Sequence, residues 1–174
     1  MLIIHPPLTK ACEPPAPLAY LLAALQSQGH SCTICDMNVE ALHFLFKTAP
    51  PAEDTWSKRA YKNIDRNLDA LKAISTYNNI DRYKRSVSDL NRIVQLAGEK
   101  CNLQLSLANY QDNTLSPLKS DDLSHAATHF RNNIFFDYFS KRLEELIEQS
   151  RPEYIGFSLS YLSQALCTFA MIGF

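Results

Sequence analysis

The sequence predicts an α/β fold, in which a parallel sheet of about three core strands carries a large helical insertion. Three apolar segments, residues 1–5, 30–38 and 154–160, have the length and composition of buried parallel strands. A leucine-rich segment with helical spacing joins the first two, and residues 48–150 contain further helical repeats. We therefore predict a single domain over residues 1–174, with an incomplete Rossmann-like sheet and a helical insertion at 48–150.

The first predicted strand, MLIIH, runs into the loop HPPLTKACEPPAP, which includes five prolines between positions 6 and 17. Proline at this density prevents both a helix and a strand ladder, so we expect a stiff, extended loop. Pro17 lies in the first turn of the helix that follows, and Gly29 ends that helix. Four leucines share one face of this helix: Leu18, Leu21, Leu22 and Leu25.

The second predicted strand ends in Asp36, and Asn38 is expected to cap the helix VEALHFLFK. Two strands joined by a helix through short connections predict a parallel βαβ unit. Cys32 and Cys35 form a CxxC in this strand, where their odd spacing directs the two thiols to opposite faces. We therefore expect buried structural thiols, not a chelating or redox pair.

The predicted insertion contains three amphipathic helices and one short extended piece. The first helix has its apolar residues at Tyr61, Ile64, Leu68, Leu71 and Ile74, and the second at Ile80, Tyr83, Val87, Leu90 and Val94. The third runs near residues 134–147, with Phe135, Phe139, Leu143 and Leu146 on its buried side. Cys101, Leu103, Leu105 and Leu107 alternate with polar residues and form the extended piece.

The C-terminal segment carries no charged residue after Glu153. Its length is sufficient for a membrane anchor, but several serines and a glutamine make it only moderately apolar. We favour a buried strand, YIGFSLS, followed by a helix near residues 162–172 that is apolar on most sides. Such a helix needs cover on all sides, and three parallel strands supply little. We therefore expect that the natural polypeptide continues, and that this chain is its N-terminal part.

Composition excludes several classes of function. Seventeen Lys plus Arg against 18 Asp plus Glu give a net charge of -1, so nucleic acid and membrane are not expected as partners. Only four glycines are present, and none forms a GxGxxG or a Walker-type phosphate loop. Five scattered cysteines and no signal peptide favour a cytoplasmic location. His125 and His129 lack a third ligand nearby in sequence, so no metal site is predicted.

Residues 58–100 contain a local excess of basic side chains. One predicted helix face carries Arg59, Lys62 and Arg66, and another nearly aligns Arg82, Arg85 and Arg92. Such stripes can follow a phosphate backbone, but more often they form a solvated face, which is the interpretation we favour.

Polar side chains are expected at the carboxyl ends of the three strands, where open α/β sheets bind ligands. These ends are the proline-rich loop, the segment that starts at Asp36, and the segment that starts at Ser158. They can line a pocket and donate hydrogen bonds, but they contain no pair of nucleophile and base. The sequence therefore predicts either a binding edge without a catalytic set or a plain set of turns.

Three segments together resemble the N-terminal cobalamin-binding-like domain of the cobalamin-dependent radical S-adenosylmethionine enzymes. They are LIIHPP, the continuation LTKACEPPAPLAYLLAALQSQGHSCTICDMN, and PEYIGFSLSYLSQALCTFAMIGF. The resemblance covers residues 1–45 and 150–174. HPPLTK stands where related cobalamin-binding domains have DxHxxG, so no histidine ligand to cobalt is implied. Ser158 matches the serine of the SxL motif, and Ser160 replaces its leucine.

The resemblance implies a cofactor-binding domain, with the S-adenosylmethionine and [4Fe–4S] sites in a catalytic domain downstream. It implies that Pro7, Leu8 and Thr9 lie near the corrin, and that Ser158, Ser160 and Tyr161 lie near the nucleotide tail, with Asp36 at the same edge. The chain contains no CxxxCxxC, and the Gly-Gly position would lie beyond Phe174. We therefore expect it to bind cobalamin weakly or not at all, without a histidine ligand, and the substrate to be a small molecule or peptide. The alternative is a stand-alone protein- or RNA-interaction module that uses the basic insertion.

Overall fold

The computed structural model describes residues 1–13, 15–50 and 53–174. The fold is α/β, and the strands form two sheets. The strands are β1 (Leu2–His5), β2 (Thr33–Asp36), β3 (Leu103–Ser106), β4 (Asn109–Asp112) and β5 (Ile155–Phe157). The helices are α1 (Ala16–Ser27), α2 (Met37–Thr48), α3 (Thr55–Lys62), α4 (Ile64–Lys72), α5 (Ile74–Tyr77), α6 (Ile80–Glu99), α7 (Ser120–Thr128), α8 (Phe136–Ser150) and α9 (Ala165–Gly173). Two short 3₁₀ turns, Phe130–Asn132 and Leu162–Gln164, precede α8 and α9.

The main sheet has three parallel strands in the order β2-β1-β5, which confirms the predicted parallel sheet. Leu2, Ile3 and Ile4 of the central strand are buried on both faces, as expected for an inner parallel strand. The third strand is shorter than predicted, although the Ser158 N–H still donates to the Ile4 carbonyl beyond its end, at 2.8 Å. All three strands therefore direct their carboxyl ends to the same edge.

The cap of α2 differs from the prediction that Asn38 fills this position. The Asp36 carboxylate accepts hydrogen bonds from the backbone N–H groups of Asn38 and Val39, at 3.0 and 3.3 Å. Aspartate and asparagine are equally good caps, so the sequence alone does not distinguish the two registers. Because the helix begins at Met37, the Asn38 side chain is free to bond elsewhere in the interior.

The first helix is confirmed, but its leucine face is only partly covered. Leu18 is its buried residue, whereas Leu21 is 44% exposed and Tyr20 is 79% exposed. An apolar helix surface of this kind normally packs against another element. Within the described residues, Tyr20 and Leu21 of α1 face solvent.

The predicted first helix of the insertion is divided into α3, α4 and α5. Asn63 and Ala73 take non-helical backbone conformations, with φ and ψ of -109° and 15° at Asn63 and of -93° and 122° at Ala73. The second and third predicted helices correspond to α6 and α8. Four predicted core residues of the third, Phe135, Phe139, Leu143 and Leu146, are all buried.

The predicted extended piece is β3, which pairs with β4 in an antiparallel hairpin. The hairpin packs closely on α6 at Gly98, where an added Cβ would lie 2.8 Å from the Leu103 carbonyl oxygen. Gly173 of α9 approaches the Ala127 backbone of α7 in the same way. Helix α9 is therefore covered by α7, and six of its residues are buried.

No helix in the described part of the chain is long and apolar enough to cross a membrane.

Candidate ligand-binding edge of the parallel sheet

Two loops, at residues 6–9 and 158–161, meet the direct junction of β2 with α2, at residues 36–38, at the carboxyl ends of the parallel strands; we call this surface the carboxyl edge. Strand β1 is central, and the chain leaves it first toward β2 and later returns to pair β5 on its other side. In open parallel sheets, ligands bind where the strand order reverses in this way. That position lies between the loops that follow β1 and β5.

Gln164 joins these two loops. Its side chain is fully buried, its Oε1 accepts from the backbone N–H groups of Ser160 and Tyr161 at 2.9 and 3.0 Å, and its Nε2 donates to the Pro6 carbonyl at 2.6 Å. The neighbouring Ser163 hydroxyl donates to the Leu8 carbonyl at 2.8 Å. The amide of Gln164 thus fixes the two sides of the predicted crevice relative to each other. In the sequence, Gln164 stands out as a polar residue next to a strongly apolar helix.

The loop after β1 is also attached to α2. The Thr9 N–H donates to Asn38 Oδ1 at 2.9 Å, and both residues are buried. Pro7 and Leu8 are buried as well, so the predicted ligand residues of this loop lie beneath the surface of the carboxyl edge. Asp36 is half-buried, and its Oδ1 is occupied by the α2 cap.

The loop after β5 supplies the accessible side of the carboxyl edge. Ser158 is half-buried, Ser160 is exposed, and Tyr161 is 45% exposed. Leu159 and Leu162, next to them, are also exposed. The surface therefore combines hydroxyl groups with apolar side chains.

A charged pair of the proline-rich loop reaches across to Tyr161. The Tyr161 hydroxyl donates to Glu13 Oε2 at 3.2 Å, and Lys10 Nζ lies 2.9 Å from Glu13 Oε1. The hydrogen bond from Lys10, followed by that from Tyr161, holds the pKa of the Glu13 carboxyl below its usual value. This contact is a second bridge between the loops that follow β1 and β5.

A cavity of about 390 Å³ lies beside the carboxyl edge, between the β3–β4 hairpin and the start of α9. Its lining includes Tyr110 and Leu115 from the insertion, and Leu162, Ser163 and Leu166 from the C-terminal segment. The volume is within the range of small-molecule sites. Ser163, whose hydroxyl donates to the Leu8 carbonyl in the loop after β1, also lines this cavity.

His5 is buried at the end of β1, and its Nδ1 has no hydrogen-bond partner among the described residues. The ring is 4% exposed, so it does not reach a ligand bound at the surface of the carboxyl edge. His125 and His129 stack with their ring centroids 4.1 Å apart on α7 and its C-terminal end. In the ranges that the structure describes, no group of three His, Cys, Asp or Glu side chains is placed to hold a metal ion.

An ion pair below the carboxyl edge attaches the start of α2 to α8. Arg142 Nε and Nη2 bond the two Glu40 carboxylate oxygens at 2.9 and 3.2 Å, and the Tyr138 hydroxyl donates to Oε2 at 2.8 Å. The Cys35 thiol donates to Glu40 Oε1 at 3.7 Å. Burial, and then the Glu40 charge, raise the pKa of this thiol to about 11. Cys35 is therefore a protonated structural thiol at neutral pH, as expected for it from the sequence.

Comparison of this chain with protein-family models, with curated proteins and with solved structures gives no match.

Proposed function

We propose that this chain is the cobalamin-binding-like domain of a radical S-adenosylmethionine enzyme, and that its Rossmann-like carboxyl edge receives the cofactor. The observation that carries the proposal is the strand order β2-β1-β5, which gives a reversal point between the loops that follow β1 and β5. The residues that the family resemblance associates with cobalamin belong to these two loops and to Asp36. The resemblance and the sheet order are independent arguments for the same edge.

The side chains of the carboxyl edge suit a large ligand that is partly apolar. Leu159 and the neighbouring Leu162 offer exposed apolar area for a corrin, and the hydroxyls of Ser158, Ser160 and Tyr161 suit polar groups of a nucleotide tail. The base of the site is formed by three buried residues, Pro7, Leu8 and Thr9. His5 is buried, so we propose binding without a protein ligand to cobalt. When bound, cobalamin supplies methyl-transfer chemistry.

In this proposal the chain itself holds and orients the cofactor, and it contributes no catalytic residue. The [4Fe–4S] cluster, S-adenosylmethionine and the small-molecule or peptide substrate belong to a downstream catalytic domain of the same polypeptide. The exposed apolar side chains of α1 and of the edge strand β5 are suited to pack against such a domain. All five cysteines are free thiols, which supports a cytoplasmic location.

Binding of hydroxocobalamin to the 174-residue chain tests the function. We expect a dissociation constant between about 0.1 and 1 mM by equilibrium dialysis, because β5 is an edge strand and leaves the crevice open on one side. Ser160→Trp fills the exposed side of the carboxyl edge and should weaken binding about fivefold or more. Ser88→Trp on the exposed side of α6 is the matched control and should leave the affinity unchanged.

The sequence-based expectation of weak or no binding is narrowed to weak binding by the carboxyl edge of the three-stranded sheet, so absence of binding at about 1 mM would contradict the proposed function. Equal affinity of the Ser160→Trp and Ser88→Trp variants would show that cobalamin binds away from the carboxyl edge. Binding in the low micromolar range would contradict the expectation of an open crevice.

The alternative is a stand-alone protein- or RNA-interaction module that binds its partner through the basic side chains of α3, α4 and α6. Loss of RNA binding on replacement of Arg59, Lys62 and Arg66, together with no response to hydroxocobalamin, would favour it.

A further inference from the structure

The insertion contains a cavity of about 420 Å³ between α3, α4 and the N-terminal half of α6. Of the side chains that line it, Ala70 is the apolar one, and the others are arginine, asparagine, aspartate and serine. Apolar walls dominate most small-molecule sites, so this lining indicates a strongly polar ligand. The cavity lies apart from the carboxyl edge and shares no lining residue with it.

Four arginines from three helices converge on this cavity: Arg59, Arg66, Arg82 and Arg85. Arg59 is paired with the buried carboxylate of Asp89, with Nη2 to Oδ1 at 2.8 Å, and Trp56 Nε1 donates to the same oxygen. The guanidinium groups of the other three have no ion-pair or hydrogen-bond partner among the described residues. The two lining carboxylates, Asp81 and Asp89, therefore leave an excess of positive charge.

Asn67 provides a second, independent indication of a ligand. It lines the same cavity, is 7% exposed, and its Nδ2 has no hydrogen-bond partner in the part of the chain that the structure describes. A buried amide that donates to nothing is costly, and most such groups in folded proteins are satisfied. Rotation of this amide toward the cavity would let an acceptor oxygen on a bound ligand satisfy it.

We propose that this cavity binds a small ligand that carries one or more phosphate groups. Guanidinium groups pair with phosphate oxygens through two parallel hydrogen bonds, and the Asn67 amide adds a neutral donor to the same site. The basic side chains surround a concave space and do not continue as a stripe along the surface. Lys62 is not part of the lining, and Arg92 is engaged by Asp54 and Glu99 and lies over the Trp56 ring. This geometry favours a compact ligand over an extended nucleic-acid backbone.

Calorimetric titration with inorganic pyrophosphate and with ADP tests the proposal on the full chain. We expect saturable binding of pyrophosphate, weakened about tenfold or more by Arg66→Ala and by Arg82→Ala. Lys84→Ala removes an exposed positive charge from the same helix as Arg82 without touching the cavity, and it should change affinity less than twofold. Tighter binding of ADP than of pyrophosphate identifies a nucleotide as the ligand, and equal or weaker binding identifies a free phosphate group.

The Asn67→Leu substitution distinguishes a role of Asn67 in ligand binding from a role in folding. The substitution removes a buried donor without a partner, so the melting temperature of the free chain should stay the same or rise. Pyrophosphate affinity should nevertheless fall about fivefold or more, because the ligand loses a hydrogen bond. A fall in both quantities would indicate a purely structural role and would contradict the site.

Two results would overturn the proposal. One is the absence of saturable pyrophosphate and ADP binding at about 1 mM. The other is submicromolar binding of a single-stranded RNA that decreases steeply with salt and is lost in Arg66→Ala, without competition from pyrophosphate.

Discussion

Gln164 is the residue that connects the two loops of the proposed cobalamin site. Its buried amide satisfies two backbone N–H groups in the loop after β5 and one carbonyl in the loop after β1. A single side chain with both an acceptor and a donor is required for this arrangement. The relative position of the two loops therefore depends on the residue at position 164, together with the Ser163–Leu8 and Tyr161–Glu13 hydrogen bonds.

Replacement of Gln164 by leucine should destabilise the chain strongly. The Pro6 carbonyl loses its partner in a buried environment and two N–H groups lose theirs in a partly buried one, so we expect the free energy of unfolding in urea to fall by about 2–3 kcal/mol. Gln149→Leu, on the exposed side of α8, is the control and should change this free energy by less than about 0.5 kcal/mol. Similar effects of the two substitutions would show that the Gln164 amide does not hold the edge together.

At the scale of elements, the parallel sheet and the insertion are joined where α2 meets α8. Glu40 near the start of α2 binds Arg142 of α8 in a bidentate pair, and Tyr138 adds a third hydrogen bond. The pair is partly shielded, with side-chain exposures of 30% for Arg142 and 39% for Glu40. Bidentate geometry and partial burial make such a pair stronger than an ordinary surface salt bridge.

A double-mutant cycle with Glu40→Gln and Arg142→Met should measure this connection. We expect a coupling energy of about 1 kcal/mol from urea unfolding, after discounting for the solvent that reaches both side chains. Asp69 and Lys72 of α4 form an exposed pair at 3.7 Å, and the same cycle on them should give about 0.3 kcal/mol or less. Equal coupling energies would mean that the α2–α8 contact depends on apolar packing alone.

At the scale of the whole molecule, a small parallel sheet carries an insertion larger than itself, and each part has its own candidate site. The carboxyl edge lies on the sheet, and the arginine-lined cavity lies within the insertion. The proposed cofactor and the proposed phosphate ligand therefore bind separate surfaces. This separation makes the two proposals independently testable.

Elements with strong apolar periodicity could be predicted from the sequence. Helices α6 and α8 belong to this group, since their buried faces repeat over several residues. The strands of the parallel sheet were predicted from short apolar segments instead. Strand β4 and helix α7 were not predicted, because Tyr110 and Ala126 are the buried apolar residues that each contributes. The breaks at Asn63 and Ala73 were also missed, since neither residue is a strong helix breaker.

The candidate sites, like the fold, could be predicted from the sequence only in part. The residues of the carboxyl edge could be named from the sequence, because the ends of parallel strands share one edge. The burial of some of these residues could not be predicted from the sequence. Leu8 and Thr9 lie under the surface because Asn38 and Gln164 hold the loop from both sides. The arginine-lined cavity appeared in the sequence only as two separate stripes. Its formation depends on how α4 packs on α6, which no local pattern encodes.

We propose that cobalamin binds at the carboxyl edge, between the loops that follow β1 and β5. Amide chemical-shift mapping of the ¹⁵N-labelled chain during titration with hydroxocobalamin to about 1 mM tests it most directly, because it locates even weak binding. We expect shifts concentrated at residues 6–9 and 158–161, with little change in α3–α6. Shifts confined to the insertion, or no shifts at all, would contradict it.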